Sequence, residues 1–127
     1  MRHSFFIVLT ILAASCTKSK TTTSTNHYFI TGIYTTWEKG IFCVTWDTVR
    51  IVKAPSQRNT YLIIRHSQFQ RNLNEIFFPI EKATTNWSGI YNESSRLLNG
   101  LKNYPDIEFY PEQNALRISQ AVYTRIE

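Results

Sequence analysis

The sequence predicts an all-β fold, a small antiparallel meander closing into a barrel or sandwich. Three observations carry this. From His27 onward, short β-branched and aromatic runs alternate with turn-forming Gly, Pro, Asn, Asp and Ser. The stretches between those runs are too short for crossover helices, so successive strands must pair antiparallel. Aromatic residues make up 14% of the chain, enough to fill the interior of a sheet that hides its edges by closing.

The elements follow in order. Residues 28–31 lead through Gly32 into a strand over 33–37, and Glu38-Lys39-Gly40 turns into a second strand over 41–45. Trp46-Asp47 reads as an interruption, with Asp47 as the turn residue that starts the strand over 48–53. Residues 54–59, opened by Ala54-Pro55, form a loop. Tyr61, Leu62, Ile63 and Ile64 in a row mark the strand over 60–65 as buried on both faces. In 69–80, Leu73, Ile76 and Phe77 have helical spacing but Pro79 closes the segment. A loop or one helical turn, then a short strand, is expected there. A strand over 87–91 is followed by a polar turn, and 96–100 reads as a helical turn closed by Gly100. Strands over 106–110 and 115–119 make a hairpin, and 121–126 closes the sheet. Trp37, Trp46, Phe77, Trp87, Phe109 and Tyr123 are the expected core.

At 127 residues the chain supports one domain. With 43% hydrophobic and 18% charged residues it is not a disordered polymer. Two cysteines provide neither a disulfide framework nor a four-cysteine zinc site. The chain divides into a targeting segment (1–15), a polar tether (16–26) and a β-domain (27–127). Arg2-His3 and the apolar stretch from Phe5 to Ala14 have the charge and the length, about ten residues, of a signal peptide. A spanning helix needs roughly 20 apolar residues. Thr17 to Asn26 contains no apolar side chain and reads as a flexible tether.

Leu12-Ala13-Ala14-Ser15-Cys16 resembles the bacterial lipobox, with Leu one place further from the cysteine than usual. The resemblance implies acylation of Cys16 and anchoring in a membrane, for which more than one acyl chain gives a stable hold. Acidic residues, which mark surface export in Bacteroidetes lipoproteins, do not follow Cys16. The implied location is the outer membrane, facing the periplasm. Cys43, in Ile41-Phe42-Cys43-Val44, is then the only unmodified thiol and reads as a buried small hydrophobe.

Catalytic chemistry finds no foothold. His27 and His66 lie far apart with no Cys or carboxylate at ligand spacing, so no metal site is expected. Asp47 and Asp106 have no partner in any motif. A Gly-x-Ser-x-Gly elbow, a P-loop and a dinucleotide turn are all missing, so neither an enzyme nor a cofactor is expected. The formal net charge is +5. Arg50, Lys53, Arg58, Arg65 and Arg71, interleaved with Tyr61 and Phe69, form a candidate basic face. In a cytosolic barrel this would be a nucleic-acid platform; on an exported chain it reads as a solvated or membrane-facing positive surface.

Gly32-x-Tyr34 followed by a continuous meander resembles the opening of lipocalin-like barrels. That implies a small apolar ligand in a pocket lined by Trp37, Trp46 or Phe109. Asp47-Thr48-Val49 looks like the acceptor pattern for O-glycosylation in Bacteroidetes periplasmic proteins.

The lipobox, the tether, Gly32-Ile33-Tyr34, Tyr61-Leu62-Ile63-Ile64-Arg65 and Ala121-Val122-Tyr123 together look like short uncharacterised lipoproteins of the Bacteroidetes. Some of those are similar to proteins encoded on conjugative transposons. The resemblance implies a non-enzymatic accessory part in an envelope or DNA-transfer assembly, with an envelope protein as partner. Two other readings stand beside it, a carrier of a small apolar ligand and a basic nucleic-acid-contacting element. A filled interior with an exposed apolar patch would favour the partner-binding module, and a lined cavity would favour the carrier.

Overall fold

A computed structural model describes residues 29–127. The expected signal peptide (1–15), Cys16 and the expected tether (16–26) lie outside the described residues. The strands are β1 (Gly32–Lys39), β2 (Cys43–Lys53), β3 (Thr60–Leu73), β4 (Ile76–Phe77), β5 (Glu81–Asn92), β6 (Leu97–Gly100), β7 (Ile107–Tyr110), β8 (Ala115–Ile118) and β9 (Ala121–Arg125). β1, β2, β3, β5, β6, β7, β8 and β9 pair antiparallel in sequence order, and β9 returns to β1. The result is an eight-stranded closed barrel, with β4 as an extra strand on the far end of β3.

The closing seam is narrow. Tyr34 pairs with Arg125 and Thr35 with Thr124. Backbone bonds from Ile33 N to Glu127 O (3.0 Å) and from Ile126 N to Ile33 O (2.8 Å) extend it. Gly32 makes this approach feasible: a Cβ there would lie 2.3 Å from the Glu127 carbonyl oxygen, and its φ of +151° suits glycine.

Alternation along the strands fills the interior. Tyr34, Val49, Ile51, Tyr61, Ile63, Trp87, Tyr91, Leu98, Ile107, Phe109, Leu116, Ile118 and Tyr123 all point inward and are buried. Edge-to-face ring contacts link Phe29 with Tyr34 and Phe109, and Tyr91 with Phe109 and Tyr61. Phe29 and Ile30, in a helical turn ahead of β1, plug one end of this core. The Tyr34 hydroxyl donates to the Ile30 carbonyl at 3.2 Å, and also to that of Phe29, which ties the turn to β1.

Strand lengths are unequal. β2, β3 and β5 run for 11, 14 and 12 residues, whereas β6, β7 and β8 have 4 each. The β1–β2–β3–β5 half therefore overruns the closed ring and projects beyond it.

Several expectations need correction. β2 is continuous through Trp46-Asp47 because Asp47 is an inward residue with partners inside the barrel. β3 runs to Leu73 and reverses at Asn74-Glu75, both with positive φ (49° and 66°), as a two-residue hairpin requires. The three-residue spacing of Leu73 and Ile76 is the flank of that hairpin, where they pair across strands, and not a helical stripe. Residues 97–100 are a strand and not a helical turn, since β6 must bridge β5 and β7 to keep the ring closed. Trp87, Phe109 and Tyr123 are core residues. Trp37 is exposed because it stands three places from inward Tyr34 and so faces out, and Phe77 is exposed because β4 lies outside the ring.

Candidate functional site

The mouth of the barrel is closed by a polar group that sequence reasoning missed. Asp47 is 2% exposed. Its Oδ2 accepts hydrogen bonds from Arg65 Nε (2.7 Å) and the Tyr123 hydroxyl (2.7 Å), with Arg65 Nη2 at 2.5 Å; its Oδ1 accepts from Ser67 Oγ (3.1 Å). Register places these groups: Asp47 pairs with Ser67 and Val49 with Arg65, all on inward positions. The Asp47 hydrogen bond raises the Arg65 pKa further. Burial, reinforced by Asp47, pushes the Tyr123 phenol well above its ordinary value. A carboxylate held by a guanidinium and two hydroxyls is fully satisfied, so this group seals and orders the barrel.

Arg65 keeps 35% of its side chain exposed and reaches a cleft of about 400 Å³ bounded by Glu38, Ile118, Ser119, Gln120 and Ala121. No group of three or more His, Cys, Asp or Glu residues able to hold a metal occurs among the described residues.

The other candidate residues are dispersed. Phe109 is in the packed core, whereas Trp37 and Trp46 are cross-strand partners on the outer surface, so the three do not line one pocket. The five basic residues share no face either. Arg50 points outward from β2, and Arg65 points inward to Asp47. Arg71 pairs with Glu81 at 2.9 Å at the projecting end, while Lys53 and Arg58 lie at the opposite end. The period of two along a strand separates Arg50 from Arg65, and strand length separates Arg58 from Arg71. Cys43 is a half-buried free thiol on the projecting part of β2. Asp47 of the Asp47-Thr48-Val49 pattern is turned into the barrel, and Thr48 faces out from mid-strand.

The projecting end gathers exposed apolar side chains from two adjoining turns. Ile41 (87% exposed) and Phe42 (64%) come from the β1–β2 turn, and Leu73, Ile76, Phe77 (63%), Phe78 and Ile80 from the β3–β4 hairpin and its exit. Asn72 N donates to Phe42 O at 2.7 Å, which locks the two turns side by side. Phe78 is held to β3 by its own N donating to Arg71 O at 3.0 Å, and by Gln70 Nε2 donating to its carbonyl at 3.1 Å. Charges around this end balance in sign: Lys39, Arg71 and Lys82 against Glu38, Glu75 and Glu81. Isolated exposed apolar residues are ordinary; seven drawn from two adjoining turns at one end of a barrel are not.

Compared with known protein families, curated proteins and solved structures, the chain matches none. The geometry alone carries the functional reading.

Proposed function

We propose that the protein is an envelope lipoprotein, anchored through Cys16 in the outer membrane, that acts without catalysis by docking its apolar end on another envelope protein. The observation that carries this reading is the seven exposed apolar residues at the end formed by the β1–β2 turn and the β3–β4 hairpin. A filled aromatic interior argues against a carrier of a small apolar ligand. The balanced charge of the apolar end supports a protein partner over an anionic bilayer. The chain enters β1 at Gly32, and Lys39 lies about 23 Å further along at 3.3 Å per residue. An anchor on Cys16 thus leads into the end of the barrel opposite the apolar one. The resemblance to Bacteroidetes lipoproteins supports an accessory place in an envelope or conjugative assembly.

The test is photo-crosslinking in a native-type host, with the reactive residue at Phe77 and, as a control, at Ser94 in the β5–β6 turn at the other end. A discrete protein adduct from Phe77 and none from Ser94 is expected. Cys16→Ala should move the protein out of the membrane fraction and lower the adduct yield. No adduct from Phe77, or equal adducts from both positions, would sink the proposal.

A further inference from the structure

The outer face of the projecting sheet carries a second surface, which adjoins the apolar end at Ile80, Lys39 and Lys82. Cross-strand register aligns outward side chains in two rows that cross β1, β2, β3 and β5. One row is Trp37, Trp46, Gln68 and Lys82, and the other is Thr35, Thr48, His66 and Thr84. Between them Trp46, Thr35, Thr48, His66, Gln68 and Ile80 line a groove of about 340 Å³, within the range of small-ligand clefts (about 300–1,000 Å³). Trp46 is half-buried in the groove wall, and Trp37 beside it is 61% exposed.

The chemistry of this face is specific. Trp46 offers an aromatic surface of the kind on which the C–H face of a pyranose ring lies, and Trp37 stands next to it across the strands. Gln68 brings a planar amide with two donors and an acceptor, and Thr48 brings a hydroxyl. His66 Nδ1 is 3.0 Å from Thr84 Oγ1, which orients the imidazole and leaves Nε2 as its other hydrogen-bonding atom. Outward positions of β1, β2, β3 and β5 include Lys39, Arg50 and Lys82 and not one carboxylate. The acidic residues of these strands, Glu38, Asp47 and Glu81, alternate to the inner side. Lys39, Arg50 and Lys82 form no ion pair with a described residue.

We infer that this groove binds an acidic polysaccharide, with a sugar ring on Trp46, its hydroxyls on Gln68, Thr48 and His66, and its carboxylate drawn to Lys82. The mixture of hydroxyl, amide and imidazole groups around the tryptophan fits a polyol. Three separate cations fit a polymer with spaced acidic groups better than the continuous basic track that single-stranded nucleic acid requires.

The test uses the full mature chain with hexagalacturonate and a hyaluronan hexasaccharide as probes, maltohexaose as the neutral control and an oligothymidylate as the nucleic-acid control. Binding is read from tryptophan fluorescence and from amide chemical shifts. At least one uronate probe should bind in the millimolar range or tighter, with shifts confined to outward residues of β1, β2, β3 and β5. Trp46→Ala should weaken it about tenfold and Lys82→Gln about threefold, while Phe77→Ser at the apolar end leaves it unchanged. Failure of both uronate probes at millimolar concentration, shifts outside the groove, equal binding of maltohexaose, or tighter binding of oligothymidylate would each overturn the inference. If Trp46→Ala does not fold, the chemical-shift map on the unaltered chain decides. Failure here leaves the protein-docking end untouched, because the two surfaces share none of the residues varied.

Discussion

The Tyr123 hydroxyl donates to Asp47 Oδ2 at 2.7 Å, joining residues 76 positions apart across the barrel interior. Tyr123 belongs to the last strand and Asp47 to the second. The seam between β1 and β9 has two register pairs, so this hydrogen bond ties the closing strand to the long sheet from inside. Arg65 and Ser67 on β3 complete the group, which thereby spans three strands.

Removal of the carboxylate should show how much the closure depends on it. Asp47→Ala leaves a guanidinium and two hydroxyls without their common acceptor and should cost about 3 kcal/mol, moderated by the solvent that Arg65 still reaches. Tyr123→Phe loses one charge-assisted bond, at about 1.5 kcal/mol. Urea unfolding of the two single variants and the double variant should give a coupling above about 0.5 kcal/mol. Strict additivity would mean that the hydrogen bond does not hold the seam.

Alkaline pH should destabilise the barrel through its buried phenols. Burial pushes the Tyr34 hydroxyl well above its ordinary value of 10.0, and burial together with Asp47 does the same for Tyr123. Above pH 10 the unfolded chain releases phenol protons that the folded chain retains. The folded state then binds more protons, so stability falls as pH rises. Below pH 10 both states are protonated and these groups add no pH dependence. The urea midpoint should drop steadily above pH 10, and Tyr34→Phe or Tyr123→Phe should flatten the fall. An unchanged slope in both variants would locate the alkaline sensitivity elsewhere.

Much of the fold was legible because period-two alternation is a local signal. The strands expected over 33–37, 60–65, 106–110 and 121–126 match β1, the first half of β3, β7 and β9 to within a few residues. The first turn, however, lies at 40–42 and not at Glu38-Lys39-Gly40, so Ile41 and Phe42 are turn and not strand residues. Leu62, 41% exposed, shows that the 60–65 run is buried on one face only. Asp47 was not legible as a buried hub, since an aspartate after a tryptophan has the local look of a turn and its partners lie 18, 20 and 76 positions away. The β3–β4 hairpin was hidden by its spacing, because residues flanking a two-residue turn stand three apart, like neighbours on a helix. The outer groove was hidden for a different reason. Its residues come from several strands, and only the register of β1, β2, β3 and β5 brings Trp46, Gln68 and His66 together.

Gly89 faces into the barrel on β5, where β6 comes closest. A Cβ there would stand 2.9 Å from Leu98 Cγ and 3.0 Å from the Asn99 carbonyl oxygen. Leu98 is fully buried and cannot swing away into solvent. Gly89→Ala should therefore cost about 1–3 kcal/mol by overpacking. Leu98→Ala alone should cost about 2–5 kcal/mol by leaving a cavity. The two together should cost less than their sum, because each substitution makes room for the other. Thermal unfolding of the three variants checks this, and a double variant at or beyond the sum would show that the backbone of β6 and not Leu98 sets the limit.

The apolar end should separate stability from association. Ile41, Phe42, Ile76 and Phe77 are mostly in solvent, so Phe42→Ser and Phe77→Ser lose little buried area and should each change stability by no more than about 0.5 kcal/mol. Phe42→Ser, made in the chain that carries the reactive residue at position 77, should abolish that crosslink in the envelope. Either serine substitution should lower the binding of a hydrophobic dye to the isolated protein, because each removes exposed apolar surface. The backbone bond from Asn72 N to Phe42 O remains in both variants, so the turns keep their places. Unfolding midpoints, dye fluorescence and adduct yield measured on the same preparations distinguish the cases. A large loss of stability would make these residues part of the core in solution, and retained crosslinking would place the docking surface elsewhere on the barrel.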